Sequence, residues 1–402
     1  MPDPQYWKLD LIGNGLSPNG PGGDDPQNDG GKRRARIRRR RLIALGVAIL
    51  VVAVAIAVPL ISLGAGEGST ASTDGLPASE SDGTGESGEA DESASDPADL
   101  GEEPDPKEIA RALGVNELGL IPVLMYTRIA DDAVPPERLR EDIDRLKAAG
   151  FYPTTVREMV EGTMDIPAGK SPIVLTFDDS SPTQFQMDFG AVALEPDCAV
   201  AILQAATSSG DWASRASFFP LLEVNKDNIL FGQKEYAEQA VRDLVDWGYE
   251  VGSHTTNHRE LSLESSDVVR RELAVSKSRL EEIIGDDYQV YTLAPPYGEL
   301  PDDLSLLTDG VYKDLTYHYS AVVMSSGGYS ASPFSGDFNA VRIPRIDATA
   351  ENTVPRLISY FQNNPGLRYV SDGNPDILAF PVNASSTLGR LRSELTQEVL
   401  TY

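Results

Sequence analysis

The sequence predicts an α/β domain with a parallel sheet, built from successive β/α units as in a barrel and placed behind one membrane-spanning helix and a disordered linker. Three observations predict it. From residue 109 onward, short apolar runs alternate with amphipathic stretches, the order that lays strands and crossover helices side by side. Residues 42–63 form a run of 22 without a charge, mostly Ala, Val, Ile and Leu. Residues 64–108 are rich in Ser, Gly and Ala and hold 14 acidic residues against one basic residue, Lys107.

Composition bounds what such a chain does. Of 402 residues, 41% are hydrophobic and 24% charged, enough for at least one full-sized core once the low-complexity segments are set aside. The formal charge of -28 is unevenly spread: residues 1–41 hold nine Lys/Arg against five Asp/Glu, leaving 25 against 57 in the remainder. An acidic globular part excludes a nucleic-acid partner, because binding phosphates needs clustered positive charge. Cys198 is the only cysteine, which rules out an intramolecular disulfide and a thiolate metal cluster. It reads as a buried, inert thiol.

Taken in order, residues 1–31 are rich in Gly, Pro, Asn and Asp and bury too little apolar surface to order themselves. KRRARIRRRR at 32–41 then abuts the apolar run at 42–63. Such a run spans roughly 33 Å as a helix, about the thickness of a hydrocarbon core. Eight Lys/Arg at one end place that end in the cytoplasm and the rest of the chain outside the cell. A cleaved signal peptide is the competing reading, but its apolar region is usually only about 7–15 residues long. The acidic stretch at 64–108 reads as a self-repelling tether of roughly 35–40 Å that lets the outer domain stand off the membrane.

Within that domain, strands are expected at 121–125, 173–177, 216–219, 250–253, 289–293, 321–324 and 340–343. Helices are expected at 136–149, 236–247, 264–284 and 352–362. In β/α barrels chemistry gathers at the C-terminal ends of strands, and three such ends draw notice. IVLTFDDS ends a hydrophobic run in Asp178 and Asp179. Adjacent residues point to different sides, so one carboxylate can bind a metal while the other faces a substrate, although a turn or helix cap also favours Asp. EVGSHTTNH places two of the chain's three histidines, His254 and His258, four apart. With a carboxylate such as Asp179 they suit Zn²⁺ or a related ion with an open position for water. YTLAPPYGE stiffens a loop at Pro295 and Pro296 ahead of Tyr297, where a plain structural turn explains the residues equally well.

TFDD, HTTNH and a PYG loop, in this order and after short strands, resemble the NodB-homology polysaccharide deacetylases of carbohydrate esterase family four. IPVLMY at 121–126 and ASFF at 216–219 add to the likeness, which covers about residues 120–347. The resemblance implies a distorted (β/α) barrel holding one divalent ion, Zn²⁺ with Co²⁺ or Ni²⁺ as alternatives, and removing acetyl groups from N-acetylated cell-surface or cell-wall polysaccharide. It implies Asp178 as catalytic base, Asp179, His254 and His258 as metal ligands, and the Tyr297 N–H, after Pro296, as the oxyanion contact. O-acetyl ester cleavage and a catalytically silent glycan-binding module are the alternatives.

Departures from the family pattern are specific. Ala294 stands where many members carry the Arg that orients the base, and Arg342 or Arg345 in RIPRID is the candidate to replace it, unless both serve structural ion pairs. No His follows His318 to act as general acid, and His318 itself reads as a packing or surface residue. The 74 residues between Asp179 and His254 imply an insertion near 180–214 that shapes the substrate cleft. The stretch after residue 367 completes the sheet or forms an appendage.

Overall fold

Eight buried residues in a row, Ser171–Asp178 (β3), form the axis of the sheet. The structure is a computed structural model and describes residues 105–190, 192–222, 229–285 and 287–402. The expected tail at 1–41, the helix at 42–63 and nearly all of the linker lie outside the described residues. Among the described residues no helix is long and apolar enough to cross a membrane.

The other strands are β1 (Val123–Tyr126), β2 (Phe151–Thr154), β4 (Ser217–Phe219), β5 (Glu250–Val251), β6 (Thr292–Leu293), β7 (Ala321–Gly327) and β8 (Ile343–Asp347). Their order is β5-β4-β3-β1-β8-β7-β6, with β2 off the path beside β3, and every pairing is parallel. β2 covers the first half of β3 from Ser171 to Val174, and β4 covers the end from Thr176 to Asp178. One parallel bridge, Ser253 to Leu293, joins the two ends of the path. The result is a nearly closed barrel with a narrow seam.

Residue chemistry accounts for that seam. A Cβ on Gly252 would lie 2.4 Å from Thr292 Oγ1 and 2.5 Å from the Phe219 ring, so only glycine lets β5 and β6 approach this closely. Buried Glu250 accepts from Ser217 Oγ in β4 at 2.6 Å, from Thr292 Oγ1 in β6 at 2.6 Å and from the Arg157 N–H at 3.0 Å. A carboxylate is costly to bury unless its lone pairs are used in this way. Alternation sorts the faces: Leu124, Tyr126, Leu175, Phe177 and Phe218 join the helices in one cluster, and Val123, Val174, Phe219, Ala321, Val323 and Ile343 form another.

Most expected elements are present, and their differences have causes. The strand expected at 340–343 runs instead over Ile343–Asp347, because Asn339 takes the N–H groups of Val341 and Arg342 in a turn. β2 was not among the expected strands; it contains Pro153, which an edge position tolerates. The linker stops short of residue 108: Pro106–Leu113 is a helix that Asp105 caps by accepting from the Lys107 N–H, the usual role of Asp at this position. The helices Pro136–Ala148, Ala237–Asp246, Ser266–Ile284 and Thr353–Asn363 agree with expectation within two residues.

The insertion expected near 180–214 leaves the end of β3 at Ser180, and Gln184 donates to the Asp178 carbonyl. Beyond a two-residue hairpin it forms the helix Ala199–Ala205, tied to the outside of Pro136–Ala148 through Arg140 to Asp197 and Lys147 to the Ala206 carbonyl. After residue 367 the chain adds no strand to the barrel. Ile377–Phe380 pairs with Glu398–Thr401 in a sheet of its own, while Leu378 and Phe380 pack into the cluster of Val123 and Ile343.

Candidate active site

Asp178 closes β3, buried and aimed at a single partner. Arg345 of β8, 1% exposed, meets it with both arms: Nη1 to Oδ1 at 2.7 Å and Nη2 to Oδ2 at 2.6 Å. The guanidinium also donates to Thr176 Oγ1 at 3.0 Å and to the Met324 carbonyl. A planar fork on a planar carboxylate is the arrangement lysine cannot reproduce. Ala294 is buried, and of the two arginines in RIPRID it is Arg345 that meets Asp178. Arg342 does not: it precedes β8, at the opposite end from the strand termini that carry the site, and is exposed. Arg342 lies in the turn that Asn339 makes before the strand begins, and Arg345 lies within the strand.

Asp179 and Ser180 both take positive φ, 75° and 49°, reversing the chain at the end of β3. Asp179 Oδ1 comes 3.0 Å from His254 Nε2 and 3.3 Å from His258 Nε2. His254 is anchored from behind, its Nδ1 lying 2.6 Å from the Ala294 carbonyl. A carbonyl only accepts, so Nδ1 carries the proton and a neutral ring turns the Nε2 lone pair toward Asp179. Two lone-pair atoms at 3.0 Å require a positive charge between them, either a second proton or a cation. Asp179 Oδ1 is buried with no well-formed hydrogen bond among the described residues. The separations match neighbouring ligands on one ion with bonds of about 2.0–2.2 Å. These residues therefore fit a metal, and Asp179, His254 and His258 are the group able to hold one.

Without a cation, the charges respond to each other. Burial disfavours ionised Asp179, but the two imidazoles outweigh it and hold the carboxyl well below the usual range. Burial also disfavours charged His254, and Asp179, with the nearby charge of Asp178, raises its imidazole above the ordinary value.

Tyr297 has φ 63° after buried Pro296. Its phenol Oη is 3.1 Å from His258 Nδ1, and the ring meets the imidazole edge-on at 4.7 Å. The adjoining Gly298 leaves no room for a side chain, since a Cβ would sit 2.2 Å from Ser325 Oγ, and that hydroxyl donates to the Tyr297 carbonyl at 3.0 Å. Of eight non-glycine residues with positive φ among the described residues, five lie here: Asp179, Ser180, Thr255, His258 and Tyr297. Such backbone persists only where its surroundings over-determine it, and it clusters at functional sites.

His318 lies elsewhere, exposed on a hairpin between Asp309 and Ser320, as a surface reading requires. Cys198 is buried and burial pushes its thiol up. The sequence reading missed Glu272, buried beneath the His254–His258 loop. Its signal was a charged residue at a position that shares a helix face with Val269, Leu273 and Ser276.

The description of the matching family model is polysaccharide deacetylase, over residues 165–319. Residues 165–319 belong to the polysaccharide deacetylase family. The match takes in Asp178, Asp179, His254, His258 and Tyr297 and ends before Arg345. Comparison with curated proteins finds no match. Among solved structures, the Streptococcus pyogenes deacetylase PplD in complex with acetate is 20% identical, with 60% of this chain and 97% of that chain covered and a TM-score of 0.44. BA3943 from Bacillus anthracis, a CE4 family pseudoenzyme, is 27% identical over 25% of this chain and 31% of its own, with a TM-score of 0.20. The Xyl-CE4 domain of a multidomain xylanase from the hindgut metagenome of Trinervitermes trinervoides is 17% identical over 50% and 85%, with a TM-score of 0.27.

Proposed function

We propose that this polysaccharide deacetylase domain is an active, metal-dependent hydrolase that removes acetyl groups from N-acetylated glycans. The observation that carries the reading is the Arg345–Asp178 fork beside the Asp179, His254 and His258 cluster. Those three residues would hold one divalent ion, with Zn²⁺ favoured by the donor set and Co²⁺ or Ni²⁺ as alternatives. When bound, the ion supplies Lewis acidity toward the acetyl carbonyl and toward a water molecule.

Asp178 takes the proton of the attacking water. Each of its oxygens keeps a lone pair beyond the bond from Arg345, and the fork fixes the carboxylate so that no rotation precedes proton transfer. The Tyr297 N–H, offered by the left-handed turn after Pro296, donates to the oxygen on which negative charge develops. The Arg345 fork supports the enzyme reading over a silent glycan-binding module, whose grounds are the missing Arg and the missing acid.

Acetate release tests this reading on a panel of N- and O-acetylated glycans after metal removal and after return of Zn²⁺ or Co²⁺. Release should require the metal. Asp178→Asn should lose roughly 10²–10⁴ in rate, the contribution of a positioned base, and keep its metal, whereas Asp179→Asn should lose both. Release from O-acetylated glycans alone would make the protein an esterase. A wild type that binds glycan and releases no acetate with any metal would make it a binding module.

We also propose that residues 42–63 anchor the protein with residues 1–41 in the cytoplasm, on the support of the sequence pattern alone. Protease added to intact cells should then remove the domain beyond residue 64 and spare the tail. A soluble secreted product beginning near residue 64 would overturn the anchor.

A further inference from the structure

The loop between the two histidines rests on one carboxylate. Glu272 lies in the helix Ser266–Ile284 and is fully buried. Its Oε2 accepts from the backbone N–H of Thr256 at 3.2 Å and of Asn257 at 2.7 Å. Its Oε1 accepts from Asn257 Nδ2 at 2.9 Å and from Arg271 Nη2 at 3.1 Å, with Arg259 Nε at 3.8 Å. Its own carbonyl accepts from Thr256 Oγ1 at 3.1 Å. One residue thus fastens the middle of the loop through backbone and side chain together.

The loop needs this fastening because Thr255 and His258, on either side of the fastened pair, hold φ of 69° and 52°. Neither is glycine, so both resist the conformation. The histidines differ in what else fixes them. His254 is 3% exposed and tied to the Ala294 carbonyl. His258 is less buried and, besides Asp179 and the His254 ring that share the cluster, meets the phenol of exposed Tyr297. Loss of the carboxylate would therefore free His258 and leave His254 in place.

We propose that Glu272 is a positioning residue for the metal site, setting the place of His258 by fastening Thr256 and Asn257. The inference rests on the metal-binding reading of Asp179, His254 and His258. It also assigns the chain's own buried charge a purpose: a carboxylate that accepts four hydrogen bonds orders the loop before any ion arrives, as supports behind metal ligands do.

A double-mutant cycle on the full-length chain tests it, with Co²⁺ as the probe and both the dissociation constant and the visible ligand-field spectrum as readouts. Glu272→Ala should raise the Co²⁺ Kd by about 10–100-fold, the range for loss of a support behind a ligand, and shift the spectrum as His258→Ala does. In a His258→Ala background the same change should alter Kd less than about twofold, because the residue it acts through is gone. Glu272→Gln, which keeps the size and one acceptor, should fall between wild type and Glu272→Ala and replaces it in the cycle if the alanine variant does not fold. Wild-type affinity in both variants, or an equal factor in both backgrounds, overturns the proposal. A wild type that binds no Co²⁺ instead removes the metal reading, and this inference with it.

Discussion

At the scale of single residues, the site is assembled by side chains that the sequence marks unequally. Asp178, Asp179, His254 and His258 were legible because each pair follows a short apolar run, and strand ends are where such folds put their chemistry. Arg345 was legible only as one of two candidates. Choosing between Arg342 and Arg345 required knowing that the strand begins only at Ile343 and which of its residues looks at Asp178. Glu272 was hidden because the NH groups it serves belong to a loop 15 residues away in sequence. The fork between Arg345 and Asp178 leads to a direct test. Arg345→Lys keeps the charge and loses the two parallel bonds, so Asp178 is left free to rotate. Deacetylation should fall by on the order of 10²-fold, the cost of a small misplacement of a reacting group, while Co²⁺ affinity stays within a factor of a few. A variant with wild-type rate would show that the carboxylate needs no fork, and one that loses metal would place Arg345 behind the ligands instead.

Elements form where local pattern and tertiary demand agree, and they shift where they do not. Helical periodicity at 136–149 or 264–284 survives into the fold because the apolar face it describes is the face that packs. β8 shifts along the chain because Asn339 captures the N–H groups a strand would have used. β5 and β6, two residues each, fall within the strands expected at 250–253 and 289–293 and are shorter than either, and yet they close the barrel. The same closure holds His254, since the Ala294 N–H donates to the Ser253 carbonyl at 2.9 Å and the Ala294 carbonyl faces the imidazole. Gly252 is therefore a test of whether the seam supports the site. Gly252→Ala forces a methyl against Thr292 and Phe219, and overpacking of this kind costs about 1–3 kcal/mol. The melting temperature should drop, and Co²⁺ affinity should drop with it as β5 and β6 part. A variant that melts like wild type would show that the seam yields without cost.

The whole molecule is acidic outside and holds carboxyl groups inside, and both features set its response to pH. Glu117 is buried where the N-terminal segment meets the C-terminal one. It accepts from the Ala379 N–H at 2.9 Å, from Ser371 Oγ at 3.2 Å and from the Asp372 N–H at 3.4 Å. Burial first, and then the charge of Asp372, raise its carboxyl well above the ordinary value. Burial likewise raises Glu250 and lifts Asp142, beside Tyr126 and Arg138, to about 6. None of this was legible in the sequence, where each is one acidic residue among 62. A carboxyl with a raised folded-state value binds more protons folded than unfolded, so the stability it contributes is full below its unfolded value and is lost as pH rises through its folded one. For Asp142 that window runs from about 4, the unfolded value, to about 6. Asp179 acts in the opposite sense, but its folded value lies well below the usual range, so its loss of stability falls at lower pH. Mutual repulsion among the excess acidic residues also grows as pH rises. All these terms above pH 4 point one way. The metal-free protein should therefore melt a few degrees higher near pH 5 than near pH 7.5, and Asp142→Asn should flatten the part of that slope between pH 4 and 6. A melting temperature that climbs steadily from pH 5 to 7.5 in both proteins would mean that these buried carboxyls are stabilised as anions by the hydrogen bonds around them, with Glu117, surrounded by donors, the first to suspect.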